Sequence, residues 1–174
     1  MTQQVYYRIM DVYADVYGKK VGYLDGVGIF ASRDFKKGEV VIRPTGDVVD
    51  HQTIYSIQID WECHLDPDPP AKHLNHSCDP NLGIRTQANG IPEFIALRDI
   101  QKDEEVTFDY AMSEYTHYPR ANPELDFDLT CYCDAKNCRG RMGYYSELSD
   151  ELKAHYRGYI SGYLVSGTSK GESG

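Results

Sequence analysis

The stretch "TCYCDAKNCRG", residues 130–140, places three cysteines within eight positions: Cys131, Cys133 and Cys138. Three thiols cannot all pair with one another as disulfides, and a closed tetrahedral zinc site takes four ligands. The spacing therefore predicts a structural zinc centre whose fourth ligand comes from elsewhere in the chain.

The fourth ligand is sought first among the two remaining cysteines, Cys63 and Cys78. Cys78 lies in "KHLNHSCDPN", residues 72–81, among polar and turn-forming residues where a buried apolar cysteine would be out of place. Cys63 lies close to Trp61 in "DWECHL", residues 60–65, and fits a buried position. These contexts favour Cys78; the alternatives are three cysteines with one of the six histidines, or no metal at all.

The chain has 174 residues and a formal net charge of −9. Its length predicts one domain with appendages. The acidic balance disfavours direct binding to nucleic acid or anionic membranes, because phosphate contacts need clustered basic residues, and it suits a basic peptide as partner. No apolar run approaches the roughly 18 residues that a membrane helix needs, and five clustered cysteines suit a reducing compartment. We therefore expect a soluble intracellular protein, cytoplasmic or nuclear.

Short apolar runs broken by Gly, Pro and Asp dominate the first two thirds of the chain and predict many short strands. The expected strands are "GEVVIRP" (38–44), "YSIQID" (55–60), "EFIALRDI" (93–100) and "EEVTFDY" (104–110). The proline-rich "HLDPDPPAK" (64–72) is expected to be irregular, because proline disrupts both helices and strand ladders.

The clearest helical pattern is "SDELKAHYRGYISGYL", residues 149–164, in which Ser149 fits an N-cap and two acidic residues follow it. One face carries an apolar stripe: Leu148, Leu152, Tyr156, Tyr159 and Tyr163. We expect one helix over 144–165, whose stripe packs on the domain, binds a partner or forms a homodimer. The small polar residues 166–174 are expected to be a disordered tail.

The stretch "GVGIFA", residues 26–31, satisfies the G-x-G-x-x-A pattern of dinucleotide-binding loops. Its context excludes that reading, because the apolar run continues through Ile29 and Phe30 and a new strand begins near Gly38, too soon for a crossover helix. The glycines still allow a ligand to approach the backbone closely.

Four ordered motifs together resemble the SET-domain protein lysine methyltransferases that carry a post-SET zinc motif. They are "GVGIFASRDFKKGEVVI" (26–42), "NHSCDPN" (75–81), "DEEVTFDY" (103–110) and a Cys-x-Cys-x4-Cys-x-Gly pattern (131–140). The resemblance implies a mainly β fold with short helices, in which several small sheets surround a knot-like core. The expected parts are a flanking segment (1–25), a SET domain (26–115), a post-SET zinc-binding segment (116–143), the C-terminal helix (144–165) and the tail (166–174).

The same resemblance implies which residues form the sites. Cys78, as the cysteine of the NHSC motif, becomes the fourth ligand of a structural zinc ion. Tyr110 matches the catalytic tyrosine, and Phe108 stands where a Phe favours progress beyond monomethylation. S-adenosylmethionine is the implied methyl donor. The implied cofactor-binding residues are Gly26, Val27, Gly28, Ile29, Asn75, His76 and Tyr110.

The implied reaction is an in-line displacement that depends on geometry and on a neutral amine. An apolar channel beside a sulfonium lowers the pKa of a lysine from roughly 10.4. The implied function is a protein lysine methyltransferase acting on a histone or another basic protein. The alternative is a catalytically silent binding module that keeps the fold and the zinc site. A zinc-stabilised nucleic-acid binder is disfavoured by the net charge.

Two positions depart from the family's pattern. "RPTG", residues 43–46, stands where the family has Glu-Tyr-x-Gly, so either Tyr55 or another tyrosine lines the active site in its place or the positioning of the lysine is altered. Lys72 stands where the family has an arginine before the NHSC motif. A lysine can meet a cofactor carboxylate there, but as a point charge and not as a planar fork.

Overall fold

Three small β-sheets make up most of the fold in the computed structural model, which describes residues 9–21, 26–115 and 130–166. The first sheet is antiparallel, and its strands in spatial order are β1 (Ile9–Val12), β2 (Val16–Val21) and β3 (Gly26–Ala31). The flanking segment expected over 1–25 therefore contributes strands that the sequence reasoning missed. β2 pairs with β3 along its whole length, which holds the glycine-containing stretch in an extended conformation.

The second sheet has five strands and brings two of the sequence motifs together. In spatial order its strands are β4 (Val40–Ile42), β10 (Pro92–Ala96), β9 (Leu82–Thr86), β11 (Thr107–Phe108) and β8 (Asn75–His76). β11 runs parallel to both of its neighbours. Thr107 lies opposite Asn75 and Phe108 lies opposite His76, so the NHSC motif and the "TFDY" motif are adjacent.

The third sheet is antiparallel, with strands in the order β5 (Gly46–Val49), β7 (Cys63–Pro67) and β6 (Ile57–Asp60). The expectation that residues 64–72 are irregular is wrong for their first half, because β7 continues as far as Pro67. Pro67 lies opposite Gly46 at the end of the ladder, where a missing N–H costs little. The second half does leave the sheet and forms a 3-10 turn at Ala71–His73.

Two short helices replace the single helix predicted over 144–165. A 3-10 turn at Tyr145–Glu147 comes first. The two helices that follow are α1 (Asp150–His155) and α2 (Gly162–Val165). Ser149 caps α1 as predicted, since its side chain accepts a hydrogen bond from the Leu152 N–H at 3.2 Å. The prediction of one helix is wrong because Gly158 adopts a φ of +86°, a conformation that glycine tolerates and that ends helical geometry.

The predicted apolar stripe packs on the domain itself, the first of the three roles that the sequence left open. Leu148, Tyr156 and Tyr163 are buried in the same cluster as the sheet residues Leu82 and Phe94. The C-terminal segment thus completes the core. No helix within the described ranges combines the length and the hydropathy needed to cross a membrane. The tail that the sequence predicts to be disordered lies outside the described residues, except for Ser166. Residues 116–129 of the expected post-SET segment also lie outside them.

One fully buried carboxylate fastens the C-terminal segments to the second sheet. Asp109, which follows β11, is 0% exposed and accepts two hydrogen bonds from the Arg139 guanidinium at 2.7 and 2.9 Å. The hydroxyl of Tyr156 donates to the same carboxylate at 3.0 Å, and the Ala111 N–H donates at 3.1 Å. These bonds compensate the burial of the charge.

We predict that Arg139→Gln lowers the free energy of unfolding by about 3–5 kcal/mol, because it leaves the Asp109 charge buried without its cation. Urea unfolding measures the change. Arg141→Gln is the control, because Arg141 pairs with Glu147 on the surface and such exposed pairs contribute below about 1 kcal/mol. Equal losses of unfolding free energy in the two variants would contradict the larger contribution that we predict for the buried Asp109–Arg139 pair.

Candidate active site and metal centre

Four cysteine thiols converge beside the second sheet. The sulfurs of Cys78, Cys131, Cys133 and Cys138 all lie within 4.8 Å of one another, and those of Cys78 and Cys131 are 3.8 Å apart. Sulfurs at tetrahedral positions about 2.3 Å from a zinc ion are separated by about 3.8 Å. The donor set and its spacing therefore fit zinc. Cys63 lies in β7, outside this cluster.

Backbone N–H groups surround the thiol cluster. The Cys78 N–H points at the Cys133 sulfur, the Arg139 N–H at the Cys78 sulfur and the Gly140 N–H at the Cys138 sulfur, each at 3.4 Å. Such donors stabilise thiolates, because they spread the negative charge of the sulfurs. The local turn of residues 131–140 is thus shaped to hold charged sulfurs.

The His76 side chain connects this cluster to the predicted catalytic tyrosine. Its Nδ1 accepts a hydrogen bond from the Tyr110 N–H at 3.2 Å, and its Nε2 lies 3.3 Å from the Cys78 sulfur. With Nδ1 as the acceptor, Nε2 carries the proton and points it at the sulfur. Burial lowers the pKa of His76 to about 4, so the imidazole is neutral at physiological pH.

A cleft of about 890 Å³ opens next to the predicted cofactor-binding residues. Gly26, Asn75, His76 and Tyr110 all line it. The Asn75 amide donates to the Val27 carbonyl at 3.3 Å and to the Glu105 carboxylate at 2.9 Å, which joins β8 to β3 and to the chain just before β11. Further lining residues that sequence reasoning missed are Val21, Asn81, Arg98, Glu104, Glu105, Thr107, Tyr132 and Met142.

Two of the predicted cofactor-binding residues have other surroundings. Ile29 does not line the cleft: its side chain is fully buried in the core and its carbonyl accepts from the Val106 N–H at 2.8 Å, so its assignment to cofactor binding stays a prediction. Gly28 lies against Glu105: a Cβ at this position would be 2.5 Å from the Glu105 Oε1 atom. The glycine is therefore needed to let the carboxylate approach β3.

Tyr110 also lines a second, narrower cavity of about 160 Å³. Its walls come from the loop before β6, the 3-10 turn at Ala71–His73, the end of β11 and the chain that follows the cysteine cluster. Phe108 and Tyr110 line it together, with ring centres 5.0 Å apart. Tyr110 and Met142 belong to the walls of both cavities, so the two spaces meet at these side chains.

Tyr110 is held firmly at this junction. Its hydroxyl donates to the Leu74 carbonyl at 2.9 Å, and its ring packs edge-on against His76 with centres 5.2 Å apart. Burial, with the nearby Glu114 and Glu105 charges, raises the pKa of Tyr110 well above its ordinary value. The phenol therefore stays protonated at physiological pH and acts through hydrogen bonding.

The two departures from the family's pattern are resolved in the narrow cavity. Tyr55, which the sequence suggested, and Tyr144, which it did not single out, both line its walls. Lys72 lines this cavity too, with its Nζ atom 5.0 Å from the centre of the Tyr55 ring. Lys72 does not line the wider cleft, so its contact with a cofactor carboxylate stays a sequence prediction.

A buried carboxylate, Glu114, is the charged residue of the narrow cavity that sequence reasoning missed. It is 8% exposed and accepts hydrogen bonds from the Gln58 N–H at 2.8 Å, the Ser113 hydroxyl at 3.1 Å and the Gln52 amide at 3.2 Å. Burial raises the pKa of Glu114 to about 7. Its position four residues after Tyr110 was the available signal, but the spacing alone does not show which cavity the side chain enters.

Comparisons with known proteins agree with this geometry. Residues 26–111 match the family model described as SET domain. The chain is 32% identical over 139 residues to histone-lysine N-methyltransferase Set2 of Drosophila melanogaster, covering 68% of this chain and 6% of that protein. It is 29% identical over 154 residues to the H3 lysine-36 specific histone-lysine N-methyltransferase of Yarrowia lipolytica, covering 72% of this chain and 19% of that protein.

A solved structure shows the same fold. The structure of KRYPTONITE in complex with mCHH DNA, an H3(1-15) peptide and SAH superposes with a TM-score of 0.55 at 26% identity, covering 70% of this chain and 28% of that one. This chain therefore spans less than a third of each of these three proteins. The mainly β fold expected from the motifs is confirmed.

We predict that Glu114→Gln stabilises the protein, and more so at higher pH. Because the folded-state pKa of about 7 lies above the ordinary value of 4.5, ionisation of Glu114 costs stability as the pH rises through this window. The full cost is up to about 3 kcal/mol, and about 1 kcal/mol of it develops between pH 6 and 8.5. Urea unfolding at these two pH values measures the difference.

The exposed Glu151 on α1 provides the control, since Glu151→Gln makes the same charge change in water. A Glu114→Gln protein that is less stable than the wild type at both pH values would refute the prediction.

Proposed function

This chain is a SET-domain protein, and from that premise we propose that it transfers methyl groups from S-adenosylmethionine to the side-chain amine of a protein lysine. One observation carries the proposal: a wide cleft and a narrow cavity meet at the Tyr110 side chain. A methyl donor in the cleft and a lysine in the cavity would then approach each other from opposite sides. An in-line displacement requires this arrangement.

The residues of the cleft suit the methyl donor. S-adenosylmethionine supplies a methyl group activated by a sulfonium when it is bound. Gly26 and the Asn75 backbone offer close approach and polar groups along β3 and β8, while Glu105 places a negative charge on the same wall. The Arg98 side chain also lines the cleft, where it pairs with Glu104, and its guanidinium is the group we assign to the donor's carboxylate. We assign these residues to donor binding, together with His76 and the Val27 backbone.

Tyr110 is the residue to which we assign catalysis. The Tyr110 hydroxyl donates its proton to the Leu74 carbonyl, so the lone pairs of the phenolic oxygen are free to accept at the junction of the two cavities. From there it can align the lysine amine and the polarised methyl group, while the apolar faces of Phe108 and Met142 exclude water. Phe108 adds no hydroxyl that would hold a water molecule beside the amine, which favours more than one round of methylation.

The proposed substrate is a lysine in a basic protein segment, with histones as the first candidates. The relatives are named as histone-lysine methyltransferases, and the peptide in the KRYPTONITE structure is a histone H3 segment. The net charge of −9 favours encounter with a basic partner. An intracellular location stays a sequence prediction, and a homodimer stays one of the alternatives that the sequence left open.

A zinc ion held by the four thiolates would be structural in this protein. Four cysteine ligands close the coordination sphere, which leaves no position for a substrate. The ion would join Cys78, next to β8, to the three cysteines that precede Met142 and Tyr144. We propose that zinc holds these two side chains in place as walls of the cleft and the narrow cavity.

Removal of one zinc ligand is predicted to release the metal. Cys138→Ser should bind less than about a tenth of an equivalent of zinc and lose cofactor binding, because a three-thiol site no longer closes. Cys63→Ser should keep about one equivalent, because Cys63 lies outside the cluster. Metal analysis of the purified proteins measures the zinc content, titration with S-adenosylmethionine measures cofactor binding, and circular dichroism checks that the variants are folded. Retention of zinc by the Cys138 variant would show that another residue is a ligand.

The enzymatic proposal predicts Tyr110-dependent methyl transfer. Labelled S-adenosylmethionine is incubated with core histones and with a peptide array of lysine-containing basic segments, and modified lysines are identified by mass spectrometry. Tyr110→Phe should lower the rate at least about 100-fold, because the amine and the methyl group lose their common alignment. Cofactor binding without transfer to any protein would favour the silent binding module instead.

A further inference from the structure

Glu114 is a buried charge whose three hydrogen-bond donors are all neutral. They are the Gln58 N–H, the Ser113 hydroxyl and the Gln52 amide. Within residues 9–21, 26–115 and 130–166, no ion pair includes Glu114. Asp109, the other buried carboxylate near the site, has Arg139 as its cation. A buried carboxylate without a cation is costly, and a cation that enters from solution would remove this cost.

The cavity around Glu114 fits an alkyl chain that ends in a cation. Aromatic rings of Tyr55, Phe108, Tyr110 and Tyr144 line the same space as the carboxylate. Such rings pack against methylene groups and attract ammonium and methylammonium groups through their faces. A lysine side chain, with or without methyl groups, has this chemistry.

The backbone places Glu114 next to Tyr110. The Glu114 N–H donates to the Tyr110 carbonyl at 2.9 Å, across the turn that ends the "TFDY" motif. Glu114 and Tyr110 both line the narrow cavity, and Glu114 does not line the cofactor cleft. A lysine that reaches Tyr110 through this cavity passes along the wall that holds Glu114.

We propose that Glu114 receives the target lysine as an ammonium ion and takes up its proton before methyl transfer; this inference rests on the proposed function. The N–H bond of the ammonium breaks, and its electron pair remains on nitrogen as the lone pair that attacks the methyl group. The proton forms an O–H bond with the Glu114 carboxylate. The S–C bond then breaks, its electron pair goes to sulfur, and the nitrogen becomes a methylammonium. Glu114 returns its proton to solvent after the product leaves.

The raised pKa of Glu114 supports this role. A carboxyl group with a pKa of about 7 is a far better proton acceptor than one with the ordinary value of 4.5, and it is ionised above neutrality. The same burial destabilises the fold, so stability alone does not explain a glutamate here. A glutamine would keep an oxygen for the Gln58 N–H and the Ser113 hydroxyl.

The first test measures recognition without catalysis. Binding of n-butylammonium, a surrogate of the lysine side chain, is compared with that of 1-butanol by NMR titration of the full chain saturated with S-adenosylhomocysteine. At about pH 8.5 the wild type should prefer the ammonium at least about tenfold, because a charge-assisted hydrogen bond contributes that much. Glu114→Gln should reduce the preference below about threefold, whereas Glu151→Gln should leave it unchanged.

The wild type alone provides a second measurement that does not depend on a variant. At about pH 6, below the pKa of Glu114, the preference for n-butylammonium should fall several-fold. The ionisable groups that face Glu114 are the phenols of Tyr110, Tyr144 and Tyr163, whose pKa values burial raises, and Lys72 on the cavity wall. The three phenols stay protonated at both pH values. A preference that persists in Glu114→Gln, or that is equal at both pH values, would overturn the inference.

The second test measures methyl transfer to the best substrate from the array. The rate of the wild type should rise between about pH 6 and 8, whereas the profile of Glu114→Gln should move to higher pH by about one unit or more. The KM for S-adenosylmethionine should change less than about twofold. A lower rate with an unmoved pH profile would mean that Glu114 is merely structural and would refute the inference.

The outcomes separate the inference from the proposed function. Tyr110-dependent transfer that is unaffected by Glu114→Gln would overturn the inference and leave the methyltransferase function standing. Absence of transfer by the wild type, with Glu114-dependent binding of n-butylammonium, would refute the function and the proton step while supporting the cation site.

Discussion

The buried charge of Asp109 is the constraint on which the site depends. Asp109 lies between Phe108 and Tyr110, and its carboxylate has no exposure to solvent. Its burial is compensated by Arg139, from the chain that follows the cysteines, and by Tyr156, from the end of α1. One carboxylate therefore joins three regions that are far apart in the sequence. Both cavities depend on this junction, because Tyr110, next to Asp109, and Met142, three residues after Arg139, line both of them.

The cysteine cluster and Tyr110 are parts of one hydrogen-bonded unit. β8 and β11 are parallel neighbours, so His76 lies beside Phe108 and can accept from the Tyr110 N–H. The other nitrogen of His76 lies at hydrogen-bond distance from the Cys78 sulfur. The imidazole thus lies between the cysteine cluster and Tyr110 and contacts both. A change in the geometry of the sulfurs would be transmitted to Tyr110 by one side chain.

Two buried carboxylates, Asp109 before Tyr110 and Glu114 after it in the sequence, differ in how their charges are compensated. Asp109 has a guanidinium and several other donors, so its charge contributes to structure. Among the described residues, all hydrogen-bond donors to the Glu114 carboxylate are neutral, so burial of its charge is costly. Such a carboxylate suits a cation that binds from solution and is then released. The protein gives up stability at the second position, as sites that bind and release charged groups often do. The fold can tolerate this cost because Asp109 and the C-terminal segment complete the core.

The sequence by itself determined those features that depend on short spacings and on an ordered set of motifs. The trio Cys131, Cys133 and Cys138 was evident from its spacing, and the setting of Cys78 identified the fourth thiol. The mainly β fold followed from short apolar runs and from the family resemblance. The continuous helix was predicted wrongly because an apolar stripe does not reveal where Gly158 turns the chain.

Only the tertiary structure decided which side chains share a cavity. Tyr144 and Glu114 belong to the wall beside Tyr110, and Lys72 lies there and not in the cofactor cleft. The physical reason is that these positions follow from long-range packing: the parallel pairing of β8 with β11 and the buried Asp109–Arg139 pair set them. Neither contact leaves a periodic signal in the sequence, because each joins residues more than 29 positions apart.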